Sequence, residues 1–256
     1  MESGIFLIMG RRNSWLFISA FILLFGCKKA EDRTCWKSSG SVTEREFQLA
    51  DFQELEVNEQ LHVNVIPDTI SSVKIRCGSN LINMVEADVV NGKLILKSKN
   101  KCRFLRYKSD RITIEVRAKK LTAIYFHGSD SLVFKDTMLV DDFNLQLNEG
   151  AGSVKLLLKG NRINVENSVG WGDVTLSGSA NFFRAKLEGN GYFDSRNLLV
   201  NDSISLISKS AIVSRVNATN CVLKAQLFAK GDIFYYGQPL SIKKIELGEG
   251  NLVYKE

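Results

Sequence analysis

A parallel β-helix with coils of about 20 residues is the fold this sequence predicts. Three observations carry the prediction. First, a phrase of small, any, small, any, apolar recurs: Gly128-Ser-Asp-Ser-Leu132, Gly150-Ala-Gly-Ser-Val154, Gly170-Trp-Gly-Asp-Val174, Gly189-Asn-Gly-Tyr-Phe193, Ser208-Lys-Ser-Ala-Ile212, Ala229-Lys-Gly-Asp-Ile233 and Gly248-Glu-Gly-Asn-Leu252. Its apolar ends lie 22, 20, 19, 19, 21 and 19 residues apart. Second, other apolar rows keep the same period. One holds Leu147, Leu187, Leu227 and Leu247, with Asn167 in a slot between. A second holds Leu145, Val165, Ala185, Leu206, Ala225 and Ile245, and a third Phe143, Ile163, Phe183, Ile204 and Leu223. Third, apolar and polar residues alternate within each unit, as a half-buried strand requires.

A unit this short cannot bury its own apolar face, and stacking supplies the missing partner surface. Leucine-rich repeats share the length, but the Asn-centred leucine phrase is absent. Helical repeats need a period of 3.6, also absent. The glycines read as corners, where the chain turns between strands through φ > 0 or a bulge. A phosphate-cradling loop would need a helix after Gly170-Trp-Gly-Asp, and strand-like residues follow instead.

Along the chain, residues 1–26 read as a targeting segment. Arg11 and Arg12 are basic, and Trp15 to Phe25 is an apolar run too short for a comfortable membrane span. The start at Met9 would give a tidier signal than Met1. Leu24-Phe-Gly-Cys27 resembles the lipobox of bacterial lipoproteins. That resemblance implies acylation of Cys27 and a membrane tether through lipid, with no span. Lys28-Lys-Ala-Glu-Asp32 is a polar spacer, loosely similar to a surface-export tag. An outer-membrane lipoprotein, on the cell surface or the periplasmic face, is the location expected. Residues 27–44 form the lipidated Cys and linker, and 45–254 the β-helix domain. Within it, residues 45–126 alternate without the glycine phrase, as first coils or a β-rich cap. Pro67-Asp and Asn91-Gly mark turns, and Asn80 to Ala87 is the sole helix candidate.

The chain resembles the head GIN domain family, described as putative auto-transporter adhesins and common among Bacteroidota lipoproteins. The matching residues are Phe47-Gln-Leu-Ala-Asp-Phe-Gln-Glu-Leu-Glu-Val57, Asn80-Leu-Ile-Asn, Gly92-Lys-Leu-Ile-Leu96, Leu121-Thr-Ala-Ile-Tyr-Phe-His-Gly-Ser129, Lys230-Gly-Asp-Ile-Phe-Tyr-Tyr-Gly-Gln-Pro239 and Gly248-Glu-Gly-Asn-Leu252. Asn100-Lys-Cys-Arg-Phe-Leu-Arg-Tyr107 is similar to a subgroup of it. The resemblance covers roughly residues 35–254 and departs at Ser208–Ile212 and at Arg117-Ala-Lys-Lys120. It implies a right-handed β-helix and an adhesin-like role without an established activity.

The formal charge of +6 falls to +5 once residues 1–26, with two Arg and one Glu, are removed. Export argues against a nucleic-acid partner, and the charge reads as a solvated face or as contact with anionic glycans. Cys77 and Cys221 fall in phase with apolar neighbours and read as inward-facing. Cys35 and Cys102 fall outside that alternation. Either they pair across the linker or they stay as free thiols. His62 and His127 have no neighbour at metal-ligand spacing, and no cofactor or metal is expected. An enzyme of the polysaccharide lyase or hydrolase kind would need converging carboxylates. Asp130, Asp173, Asp194 and Asp232 fall near one corner, where turn chemistry also favours Asp. Trp171, Tyr192, Tyr235 and Tyr236 fall near the same corner and are the candidate ligand-binding residues, for a glycan or an envelope protein. A purely structural or signalling envelope role is the third class.

Overall fold

The computed structural model describes residues 38–100 and 111–256, of which Ser39–Glu256 form one unit. Cys27, Cys35 and Cys102, and with them the expected lipid anchor and the question of a cysteine pair, lie outside the described residues.

The strands, in chain order, are β1 (Val42–Gln48), β2 (Glu54–Glu59), β3 (His62–Pro67), β4 (Ser72–Gly78), β5 (Val85–Val90), β6 (Lys93–Ser98), β7 (Thr113–Ala118), β8 (Ala123–Gly128) and β9 (Ser131–Phe134). The long strands β10 (Met138–Gly150), β11 (Ser153–Gly170), β12 (Asp173–Leu187) and β13 (Phe193–Ser208) follow. Then come β14 (Ser214–Asn217), β15 (Val222–Leu227), β16 (Ile233–Tyr236), β17 (Ser241–Glu246) and β18 (Leu252–Lys255). They build a right-handed parallel β-helix: the repeat predicts the parallel coils, and the family resemblance implies the hand. One wall stacks β6, β2, β8, the later halves of β10 to β13, β15 and β17. The other stacks β7, β3, β9, the earlier halves of β11 to β13, β14, β16 and β18.

Stacking order departs from chain order at the N-terminal end. The β2–β3 coil sits between β6–β7 and β8–β9, although β6 and β7 come later in sequence. Antiparallel strands close this end: β4 on β7, β1 on β4, and β5 on β6. β5 and β6 are joined at Asn91 (φ 51°) and Gly92 (φ 77°), the left-handed pair that a two-residue hairpin turn demands. The expected helix over Asn80 to Ala87 is instead a 3-10 turn, Ile82–Met84, running straight into β5. Leu81 is fully buried ahead of it, and β-branched Val85, Val89 and Val90 favour the strand.

Inside, the predicted rows hold as far as β15. Phe143, Ile163, Phe183, Ile204 and Leu223 are consecutive ladder partners, and all are buried. Phe183 stacks on Phe193 with centroids 6.2 Å apart, joining the two walls across the core. Each such ring contributes about 1.5–3 kcal/mol by leaving water. Outside, Asn161, Asn181 and Asn201 form an amide ladder at 3.1 and 3.2 Å, one rung per coil.

Two expected registers shift. The phrase assigned to Ser208–Ile212 belongs two residues later, because Ser214, not Ile212, pairs with Phe193 and Ile233. Register breaks between Thr175 and Ser177, and between Ala180 and Phe182, each admit one extra residue on β13 and lengthen that coil by two. In the last coil Ala225 pairs with Lys244 and Leu227 with Glu246, so Ile245 and Leu247 leave the inward rows. Lys244 and Glu246 pair at 2.8 Å, and Glu246 also accepts the Leu252 N–H at 2.9 Å. Inward charge of this kind protects an open sheet edge from further pairing.

The phrase glycines also act differently from expectation. Among them only Gly170 has a clearly left-handed φ, +120°. The others are needed for space. A Cβ on Gly152 would stand 1.9 Å from the Asp130 carbonyl oxygen, and one on Gly191 1.9 Å from that of Gly172. Backbone lies on backbone at this corner. Gly191→Ala is therefore expected to cost about 3 kcal/mol or more by overpacking and forced backbone shift. Gly92→Ala, with open space but positive φ, should cost only about 1–2 kcal/mol. Chemical denaturation of the two variants checks the contrast.

Candidate aromatic and cationic binding wall

Ladder alternation decides which side chains of β12, β13, β14, β16 and β18 face outward. The residue after each phrase end does so, and these residues pair across coils as Thr175, Asp194, Arg215, Phe234 and Val253. Two residues further along, Asn217, Tyr236 and Lys255 form the next row. Just before the phrase ends stand Asp173, Tyr192 and Asp232.

These rows assemble a strip of alternating rings and cations. The Arg215 guanidinium lies 5.1 Å from the Tyr192 ring centre and 5.8 Å from that of Phe234. Lys255 Nζ stands 4.6 Å over the other part of the strip, on Phe234. Arg196, the extra residue of the first β13 bulge, reaches across Asn217 to lie 5.5 Å from the Tyr236 ring. Its guanidinium is pinned by Asp194, at 3.1 and 2.7 Å. Burial pushes the Asp194 carboxyl up, but bonds from Arg196 and from the Tyr192 hydroxyl (2.8 Å) outweigh it and hold the group below its ordinary value. Tyr192 is shifted up, by burial and then by Asp194. Among the described residues no carboxylate pairs with Arg215 or Lys255.

The sequence-predicted aromatics separate. Tyr192 and Tyr236 belong to the strip. Tyr235 points the other way, packs against the core and tilts onto Tyr254 at 5.6 Å. Trp171 is 67% exposed at the glycine corner. Its backbone N–H donates to the Gly150 carbonyl (2.9 Å), and the amide of buried Asn167 donates to the Gly172 carbonyl (3.1 Å). Phe234, beside Tyr235 and Tyr236 in the sequence, joins the strip, and Arg196, Arg215 and Lys255 are the members sequence reasoning missed. With the phrase end at Ile212, Arg215 falls out of line with Asp194 and Phe234. With the end at Ser214, all three share one offset.

The four acids do not converge. Asp173 accepts the Tyr192 N–H at 2.7 Å and Asp232 the Asn251 N–H at 2.8 Å, each tying one coil to the next. Asp194 serves Arg196. Asp130 takes both Arg111 and the Ser131 N–H. Those bonds outweigh burial and keep Asp130 below its ordinary value. Among the described residues no three His, Cys, Asp or Glu side chains could share a metal ion.

A second cluster adjoins Asp130. His62 Nδ1 lies 2.7 Å from Ser131 Oγ, which also accepts from Arg111 at 3.1 Å. A nucleophile–base chain needs a third group on the far ring nitrogen. Here Asp130 approaches the same Nδ1, at 3.9 Å, so the cluster clamps neighbouring coils. Cys77 and Cys221 are buried thiols, pushed up by burial, Cys77 to about 11.

The fold and this wall define a class: β-solenoid proteins whose regular outer surface presents a repeated array of side chains. Within it, this chain belongs to the family described as "Putative auto-transporter adhesin, head GIN domain", matched over residues 51–239. The fold recurs in a putative adhesin of Bacteroides fragilis NCTC 9343, at 20% identity and TM-score 0.75, over 84% of this chain and 97% of that one. It recurs in a putative adhesin of Parabacteroides distasonis ATCC 8503, at 21% identity and TM-score 0.62, over 84% and 98%. A protein of the same organism described as a putative lipid binding protein matches at 17% identity and TM-score 0.63, over 84% and 98%. Comparison with curated protein sequences gave no significant match. Among the described residues no helix is long and apolar enough to cross a membrane.

Two outcomes test this geometry. Burial, then Arg111, hold His62 below its ordinary value, against the pull of Asp130; Lys135 adds to the repulsion. The unfolded imidazole titrates at about 6.5 and binds its proton more tightly, so stability falls as pH drops below about 6.5. His62→Gln should remove the loss of melting temperature that sets in as pH falls below about 6.5. It should leave the loss below about pH 4 that Asp130 and Asp194 impose. Separately, Asp194→Ala should cost about 2–3 kcal/mol in denaturant, by stranding the Tyr192 hydroxyl and freeing Arg196.

Proposed function

We propose that this chain is a non-enzymatic binding protein of the cell envelope, tethered through lipid on Cys27 and acting through its outer β-helix wall. The observation that carries this reading is the strip of rings and cations on consecutive rungs. β13, β14 and β16, each hydrogen-bonded on both sides, hold all of it rigid but Lys255, which stands on the edge strand β18. Membership of an adhesin-head family supports the same direction, and the acids committed to coil-to-coil bonds support a site without bond-breaking chemistry. The Leu24-Phe-Gly-Cys27 signal supports an outer-membrane lipoprotein, with the β-helix following a linker. The partner is a glycan or another envelope component, and no cofactor enters.

Two measurements test the reading. Cys27→Ser should block acylation and move the protein from the membrane fraction to the soluble one; unchanged retention and gel mobility would overturn the tether. A glycan array, screened with the purified chain with and without calcium, should show saturable binding without cleavage. Cleaved products would overturn the non-enzymatic role.

A further inference from the structure

We propose that Tyr192, Arg196, Arg215, Phe234, Tyr236 and Lys255 form the ligand site, and that its ligand is an acidic polysaccharide. This rests on the binding role above and assigns the site's chemical class.

Three features point to acid groups on a linear sugar chain. The first is what the rings leave open. Neutral sugars dock by laying an apolar face on an exposed ring. Here cations already lie near the Tyr192, Phe234 and Tyr236 rings. What the strip offers outward is guanidinium and ammonium N–H, the donors that match carboxylate and sulfate. The second is charge. Asp194 and Arg196 neutralise each other, and Asp173 and Asp232 stay ionised but are turned to a backbone N–H of the next coil. Arg215 and Lys255 have no carboxylate partner among the described residues, and exposed Lys155 extends the Asp194 row two coils away. The third is spacing. Rungs repeat about every 4.8 Å, so the backbones of Arg215 and Lys255, two rungs apart, stand about 10 Å apart along the axis, with both charged heads turned to the Phe234 ring between them. That interval suits a linear glycan carrying one acid group on alternate sugars. The wall is open along the axis, as an extended chain needs.

Arg215 is the key residue. Held between two rings, it loses little side-chain freedom when it engages an anion, so more of the contact energy appears as affinity. Tyr192 and Phe234 act as positioning residues for it.

The purified full chain is titrated with polygalacturonate (carboxylate), dextran sulfate (sulfate), unmodified dextran and polyglutamate, at two salt concentrations. Binding is expected to one or both acidic glycans and not to dextran, weakening as salt rises. Which acidic glycan binds separates the carboxylate source from the sulfate source. Arg215→Gln should weaken binding about tenfold. Tyr192→Leu should weaken it less, and Arg215→Lys should restore only part. Lys243→Gln, removing an exposed lysine on the opposite wall, should change it less than about twofold. Equal losses from Lys243→Gln and Arg215→Gln would overturn the site in favour of diffuse charge. Equal binding of polyglutamate would overturn the sugar assignment. Binding of dextran alone, or of other neutral glycans on the array, would overturn the acid class while leaving the binding role intact. Failure of every glycan, here and on the array, would overturn the acidic-polysaccharide site and leave the binding role only an envelope component other than a glycan. Circular dichroism of each variant confirms that the fold is kept.

Discussion

Everything in this molecule depends on how closely one coil's backbone can lie on the next. At the corner between the two walls that approach leaves no room for a Cβ: Gly152 sits against the Asp130 carbonyl and Gly191 against that of Gly172. This contact lets the flanking strands keep ladder spacing on both walls at once. Ladder spacing in turn stacks like positions on like positions. Inside, that gives the Phe143 to Leu223 row. Outside, it gives the asparagine ladder and the strip of rings and cations. A change at a corner glycine therefore reaches the core and the surface together.

The binding wall owes its composition to a departure from regularity. Two bulges lengthen the β13 coil. One projects Arg196 beside Asp194, where the carboxylate can pin it. Together they move the following coil along by two residues, which places Arg215 between Tyr192 and Phe234. Bulges commonly re-aim a side chain, and here they also set which residues of later coils become neighbours. Hydrogen bonding repairs the same coil: Ser210 Oγ accepts the Ile212 N–H at 3.1 Å where other coils carry glycine or alanine.

The two ends show the cost of an open ladder. At the N-terminal end antiparallel β1, β4 and β5 turn the sheet edges away from simple continuation. The acidic pairs Glu44 with Glu46, and Glu86 with Asp88, lie on the outermost strands. At the C-terminal end, inward Lys244 and Glu246 occupy slots that hold Ala225 and Leu227 one coil earlier. Leu240 and Leu247 are left largely exposed there. At this coil the row opens to water, with Lys244 half exposed and Glu246 partly so, and two charges in slots that a further coil would bury make this an end.

The glycine phrase and the three apolar rows, from Phe143 to Leu227, determined the fold on their own. Local alternation and a fixed period are properties of the chain itself. The inward placement of Cys77 and Cys221 followed from phase alone. The order of the first coils did not, because β6 and β7 stack outside β2 and β3 through long-range pairing that no local pattern encodes. Nor did the registers after Phe193 and Leu227. A bulge changes which residues face each other while leaving composition and approximate period almost unchanged. Arg215 illustrates the division. Its residue type was visible from the start. Its place beside Tyr192 and Phe234 was settled by hydrogen bonding between coils, which alone decides what stands next to what.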